Sequence, residues 1–156
     1  MSKTRCDFPG FFVDPSLHHT EIARSCLAKI ISSLRPNICQ IGEPSMLNDD
    51  VADLKETMEN CLPGDLRYAC QYWALHLQSS NLDQSLVDLC QSFAFESILH
   101  WLEVLSLLGD TGRVLPSLKA VRETISVSFM ISLLNHSVKG KELEGHFGAA
   151  QSLGLD

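Results

Sequence analysis

Apolar residues recur along most of this chain at separations of three and four, the spacing that lines one face of an α-helix. Ala23, Leu27, Ile30 and Leu34 form the first such stripe, flanked by Ile22, Cys26 and Ile31. Asp14-Pro15 opens it with a capping carboxylate and a proline at the first helical position, and Pro36 ends it. Asn37 to Asp50 contains Gly42 and Pro44 and reads as an ordered connection, followed by a short acidic helix over Val51 to Cys61. Pro63 begins the next helix, with its stripe at Leu66, Ala69, Cys70, Trp73 and Leu77. Asn81 or Asp83 caps another, carrying Leu82, Leu86, Leu89, Cys90 and Phe93 as far as a joint at Phe95 to Ser97.

The stretch "SILHWLEVLSLLG", Ser97 to Gly109, is apolar almost all round. His100, Glu103 and Ser106 share one narrow strip at a spacing of three, and Leu99, Trp101, Leu102, Leu105 and Leu108 cover the remainder. This pattern predicts the central helix of a bundle, ended by Gly109 in the left-handed conformation. After the loop "DTGR", a long helix is predicted over Val114 to Ser137. Within it "TISVSFMISL" also alternates with the period of a strand, so positions 124–133 carry both signals, and helix is the reading adopted. The expectation is an all-α protein, about six helices packed as an irregular bundle or a short helical-repeat-like array. Residues 14–137 form the helical domain; the Gly-rich segment 138–156 reads as a disordered tail.

Composition narrows what such a bundle does. The formal charge of -7, with 12 scattered Lys and Arg, argues against nucleic acid and against an anionic membrane surface. Ile98 to Leu108 spans about 16 Å as a helix, against a hydrocarbon core of about 30 Å, and no other stretch comes closer. The amino terminus lacks the apolar run of a secretory signal, and the six cysteines stand singly, so they read as small buried thiols in a reducing cytoplasm.

No chemical motif emerges. Gly140-Lys141 lacks the rest of a phosphate-binding loop, because Asn135 and Glu142 occupy the glycine and hydroxyl positions. His18-His19 with Cys26 is the nearest approach to a metal site, and two helical turns separate His19 from Cys26. No metal, no cofactor and no catalytic residue is expected. A Cys- or His-dependent enzyme would require a histidine within hydrogen-bond reach of an exposed cysteine. The residues of interest are instead an interface or polar seam, His18, His19, Tyr68, Tyr72, His100 and Glu103, and the core anchors Trp73, Trp101, Leu102 and Leu105.

Four stretches in order, "FFVDPSLHHTEIARSCL", "LRPNICQIGEPSMLNDDV", "LPGDLRYACQYWALHL" and "ILHWLEVLSLLG", give the chain a family likeness. It resembles the helical region that follows the NACHT NTPase module in fungal NLR-like (STAND) proteins, many of which continue into WD repeats. The most specific pieces are Asp14-Pro15-Ser16 with His18-His19, Asn37-Ile38-Cys39, Tyr68-Ala69-Cys70 with Trp73, and His100-Trp101-Leu102-Glu103. The resemblance implies a cytoplasmic signalling switch in which this region relays between the nucleotide-binding module and sensor repeats. It also implies that residues 1–13, with "CDFPGFF", are the trailing edge of a winged-helix segment. The NTPase module and the repeats do not occur in this chain, so nucleotide hydrolysis is not carried over and the chain reads as a fragment. The expected partners are adjacent NTPase, winged-helix and repeat domains, or a second copy bound through apolar surface left exposed. The alternative is a stand-alone helical adaptor that binds a peptide or partner helix in an apolar groove.

Overall fold

The computed structural model describes residues 14–42, 47–123, 125 and 126. Every regular element among them is helical. Helix α1 runs Pro15–Ser33, and its start follows the sequence signal: the Asp14 carboxylate accepts from the Ser16 backbone N–H at 2.9 Å and from its hydroxyl at 2.7 Å. Helix α2, Leu54–Cys61, begins three residues later than the sequence predicts, because Asp53 adopts a left-handed conformation (φ 52°) that holds Val51 to Asp53 in a turn. It buries no residue fully. Helix α3 is Gly64–Gln78 and follows directly on Pro63. Helix α4, Gln84–Ser92, is capped by the Asp83 side chain, which accepts from Leu86 N–H at 2.9 Å.

The predicted joint at Phe95 to Ser97 is not a break. A single π-helical turn, Phe93–Ser97, joins α4 to α5, Ile98–Leu107, without interrupting the helix. Its physical role follows from phase. Phe93, Ser97 and Trp101 are all buried yet spaced by four, and eight residues of a regular α-helix overshoot two turns by about 80°. One wider turn absorbs that drift and keeps all three on the inner face. After α5, Gly109 at φ +69° closes the helix: Asp110 N–H reaches back to the Leu105 carbonyl and Gly109 N–H to that of Ser106. A further helix begins at 114 and carries the buried Ala120. Residues up to Val121 form one compact unit; helical residues 122, 123, 125 and 126 belong to a second, which begins at Arg122.

Helix α1 is the hub, packing against α3, α4 and the π turn, while α5 lies against α3. The predicted stripe Ala23, Leu27, Ile30 and Leu34 is buried, as is that of Leu66, Ala69, Cys70, Trp73 and Leu77. At the centre Trp73, Phe93 and Trp101 meet, with ring centroids 4.5 Å (Trp73–Phe93), 5.8 Å (Trp73–Trp101) and 5.7 Å (Phe93–Trp101) apart. The indole N–H of Trp101 donates to the Cys70 carbonyl at 2.8 Å, whereas that of Trp73 is buried with no acceptor among the described residues.

Two expectations need correction. Helix α5 is not buried on nearly all sides: Trp101, Val104 and Leu105 are fully buried, but Leu102 is half-buried and Leu99 is 72% exposed. The side of α5 that carries Leu99 is open, and apolar composition alone does not bury it. The cysteines are not all thiols either. Cys39, in the turn after α1, forms a disulfide with Cys61 at the end of α2 (Cα–Cα 5.4 Å), because the connection folds back on itself; Cys26, Cys70 and Cys90 are buried thiols as expected. Cys6 lies outside the described residues, as do the predicted winged-helix edge, most of positions 124–133 and the tail. Among the described residues no helix is long and apolar enough to cross a membrane, as the short apolar block predicts.

The two indoles give a direct test of the core. Trp101→Phe loses the indole bond to the Cys70 carbonyl as well as volume, whereas Trp73→Phe removes an N–H that has no partner among the described residues. Trp101→Phe is expected to destabilise by about 1–2 kcal/mol more than Trp73→Phe in urea unfolding; equal costs would show that the Cys70 bond contributes nothing. The disulfide closes a loop of 22 residues in sequence separation. Cys39→Ser is expected to cost about 3 kcal/mol in the same assay, and native alkylation should label Cys39 and Cys61 only after reduction.

Candidate functional site

The most chemically organised place in the described chain lies where α1 crosses α3. His19 projects from the first turns of α1, and its Nδ1 stands 2.8 Å from Nδ1 of His76, near the end of α3. The opposite nitrogen of His76, Nε2, stands 2.7 Å from the hydroxyl of Tyr68. His76 is buried, Tyr68 is exposed on one side, and Tyr68 stacks on Tyr72 with centroids 5.0 Å apart. The Arg113 guanidinium lies 5.1 Å from the centroid of Tyr72 and binds Asp110, which also accepts from Gln71 at 3.0 Å. A chain of three proton-carrying groups therefore runs from Tyr68 through a buried imidazole to His19.

Each link has room for one proton. With Tyr68 donating to His76 Nε2, His76 donates from Nδ1 to His19; with His19 donating, the order reverses and the Tyr68 hydroxyl proton is released outward. One extra proton fits with every bond intact, because His76 as an imidazolium donates to both His19 Nδ1 and the Tyr68 oxygen. A second would set two N–H groups against each other at Nδ1. Burial, followed by the charges of His19 and His18, holds the pKa of His76 below its ordinary 6.5.

The polar attachments around this chain are local and numerous. Buried Thr20 donates to the Ser16 carbonyl at 2.8 Å and accepts from Asn81 N–H at 2.9 Å, and Asn81 Nδ2 donates to Ser16 Oγ at 2.8 Å. Arg24 pairs with Asp83 at 2.8 Å and also bonds Ser85. These contacts fix the α3–α4 connection to α1 and so hold the two helices that carry His19 and His76. Further along the same pair of helices is an open groove of about 440 Å³, with Ile22, Cys26 and Ala69 in its lining, Tyr68 among its walls, and a Lys29–Asp65 ion pair at 2.7 Å.

Of the predicted seam, the structure brings His19, Tyr68 and Tyr72 together. His18 is exposed and acts on the group only through its charge. His100 and Glu103 do not join it. Glu103 accepts from the Asn37 backbone N–H at 3.1 Å, and the neighbouring Ser106 carbonyl accepts from Asn48 Nδ2 at 2.8 Å. The polar strip of α5 thus secures the connection after α1, where Asn37 takes a left-handed conformation and its side chain bonds both backbone groups of Ile41. His100 is half-buried and forms no hydrogen bond among the described residues. Of the anchors, Trp73, Trp101 and Leu105 are fully buried. The residue missed in the sequence is His76. It sits on the apolar side of α3, between the buried Trp73 and Leu77, and a histidine there was the available signal.

The site's other chemistry is limited. Burial raises the pKa of the Cys26 thiol, and pushes that of Cys90 up to about 11 and of Cys70, with Cys26 adding to it, up to about 12. Such thiols are poor nucleophiles at neutral pH. Among the described residues no group of three or more His, Cys, Asp or Glu is placed to hold a metal ion. Compared with known proteins, the chain matches no family model, no curated protein and no solved structure.

The buried imidazole predicts a pH dependence of stability. Because the folded-state pKa of His76 lies below 6.5, the unfolded chain binds more protons between the two values. The stability it confers is complete above about pH 6.5 and is lost as pH falls below it. The urea midpoint is expected to drop between about pH 7.5 and about pH 5.5, and His76→Phe should flatten that slope. An original chain with no slope would show that His76 protonates without cost.

Proposed function

We propose that this chain is a non-enzymatic helical relay or interaction domain, of the kind that stands between the NACHT module and the sensor repeats of a STAND signalling protein. The observation that carries the reading is the exposure of large apolar side chains on a bundle whose core is otherwise closed. Phe95 is 89% exposed, and Leu17, Leu75, Leu99 and Leu115 are also exposed. Side chains of this kind, left in water, are what a domain shaped to pack on neighbours carries. The resemblance of four sequence stretches to that family supplies the rest of the case. The mechanism is a bistable interface: the domain packs on a nucleotide-binding module in one state and separates in the other. The setting is cytoplasmic; there the Cys39–Cys61 bridge is a bond that the reducing milieu works against.

A second reading has its own observation. The groove between α1 and α3, with Tyr68 and the acidic Glu21 and Asp65 along it, suits a stand-alone adaptor that takes a peptide or a partner helix.

The two readings separate in one experiment. The purified chain is mixed with a NACHT–winged-helix module from a fungal protein that carries the same four stretches, loaded with ADP or with ATP. The relay reading expects an affinity that differs by about tenfold or more between the nucleotide states, about 1.4 kcal/mol of coupling. Equal binding in both states, or none, would leave the adaptor.

A further inference from the structure

The exposed apolar residues are not scattered evenly, and their electrostatic setting is one-sided. The continuous helix made by α4, the π turn and α5 has an outward stripe running Asp88, Gln91, Phe95, Leu99, Leu102 and Ser106, spaced by three and four. Phe95 and Leu99, one helical turn apart, are its ridge at 89% and 72% exposure. Their outward position is a consequence of the π turn. The phase that places Phe93, Ser97 and Trp101 inside places Phe95 and Leu99, also spaced by four, outside.

Along the stretch of chain that carries this ridge, charge has a single sign. From Tyr68 through Gly112 the chain contains no Lys or Arg, yet it holds Asp83, Asp88, Glu96, Glu103 and Asp110, five of the charges behind the total of -7. Asp83 and Asp110 are paired with Arg24 and Arg113 from outside that span. Among the described residues Asp88 accepts only from the neutral Gln84 amide, Glu103 accepts only from a backbone N–H, and Glu96 forms no ion pair. An apolar ridge bordered by three unneutralised carboxylates disfavours a second copy of itself, since stacking two such faces opposes like charges.

We infer that the α4–α5 ridge is a docking surface for a basic amphipathic helix. Its apolar residues, at the i, i+3/i+4 spacing, cover Phe95 and Leu99, while its flanking Lys and Arg meet Asp88, Glu96 and Glu103. The inference rests on the interaction-domain reading and names the chemistry of the partner, without requiring that the partner be a NACHT module. Electrostatic attraction sets the rate of encounter and its salt dependence, and burial of the aromatic ridge sets the lifetime of the complex.

The test uses the full chain and a labelled synthetic helix of about four turns built from Leu and Lys, beside an otherwise identical helix of Leu and Glu. Fluorescence anisotropy is expected to show binding of the Leu/Lys helix that weakens in high salt, and no binding of the Leu/Glu helix. Phe95→Ala with Leu99→Ala should lower affinity about tenfold or more, and Glu96→Lys about fivefold. All three positions are exposed, so the variants should unfold at the original urea midpoint. Undiminished binding to the Phe95/Leu99 variant would mean attraction by net charge alone and would overturn the inference, as would equal binding of both helices, or of neither. Light scattering that shows a dimer abolished by Phe95→Ala would assign the ridge to a second copy instead. Failure of the nucleotide-state experiment with this binding intact would sink the relay reading only; the converse would sink the docking surface only.

Discussion

The structure depends on the contact of Trp73, Phe93 and Trp101. These three rings come from α3, from the π turn and from α5, and each is buried against the other two. Large aromatic surfaces removed from water provide most of what a small helical bundle has to set against the entropy of ordering it. The bond from Trp101 to the Cys70 carbonyl gives this cluster a direction as well as a volume, because it registers α5 against one residue of α3. The π turn is the price of that registration in backbone geometry. Without the wider turn, Phe93 and Trp101 would stand about 80° apart around the helix instead of nearly in line.

Around this centre the polar bonds do a different task. Thr20, Ser16, Asn81, Arg24 and Asp83 lock the α3–α4 connection to α1, and Glu103 with the Ser106 carbonyl locks the connection that follows α1. The disulfide between Cys39 and Cys61 ties that same connection to α2, a helix that buries no residue fully. The weakly packed part of the fold is thus held by specific bonds, and the strongly packed part by apolar contact.

Two surfaces with different chemistry result. At the crossing of α1 and α3 a buried imidazole links an exposed tyrosine to a second histidine, and the protonation of this chain is coupled to the packing of the two helices. Along α4 and α5 the inward aromatic registration leaves an outward apolar ridge in an acidic border. The first ties the packing of the hub helix to pH, and the second leaves large apolar side chains in water.

Much of the architecture was written in local pattern. The stripes through Ala23, Leu27, Ile30 and Leu34, and through Leu66, Ala69, Cys70, Trp73 and Leu77, determine helices and their buried faces, because periodicity near 3.6 admits little else. The same holds for the cap at Asp14 and for Gly109 at the end of α5, where single residues satisfy orphaned backbone groups. Tertiary structure alone decided the rest. Leu99 and Phe95 have the composition of core residues, yet they face outward, because the phase of a helix is set by what its other face packs against. His76 became the centre of a site only when α1 brought His19 to it across 57 positions of sequence. Cys39 met Cys61 because the chain between them returns to within 5.4 Å of its start, Cα to Cα. Local pattern determines which face of an element seeks burial; only packing determines which elements are available to bury it, and which distant side chains then meet.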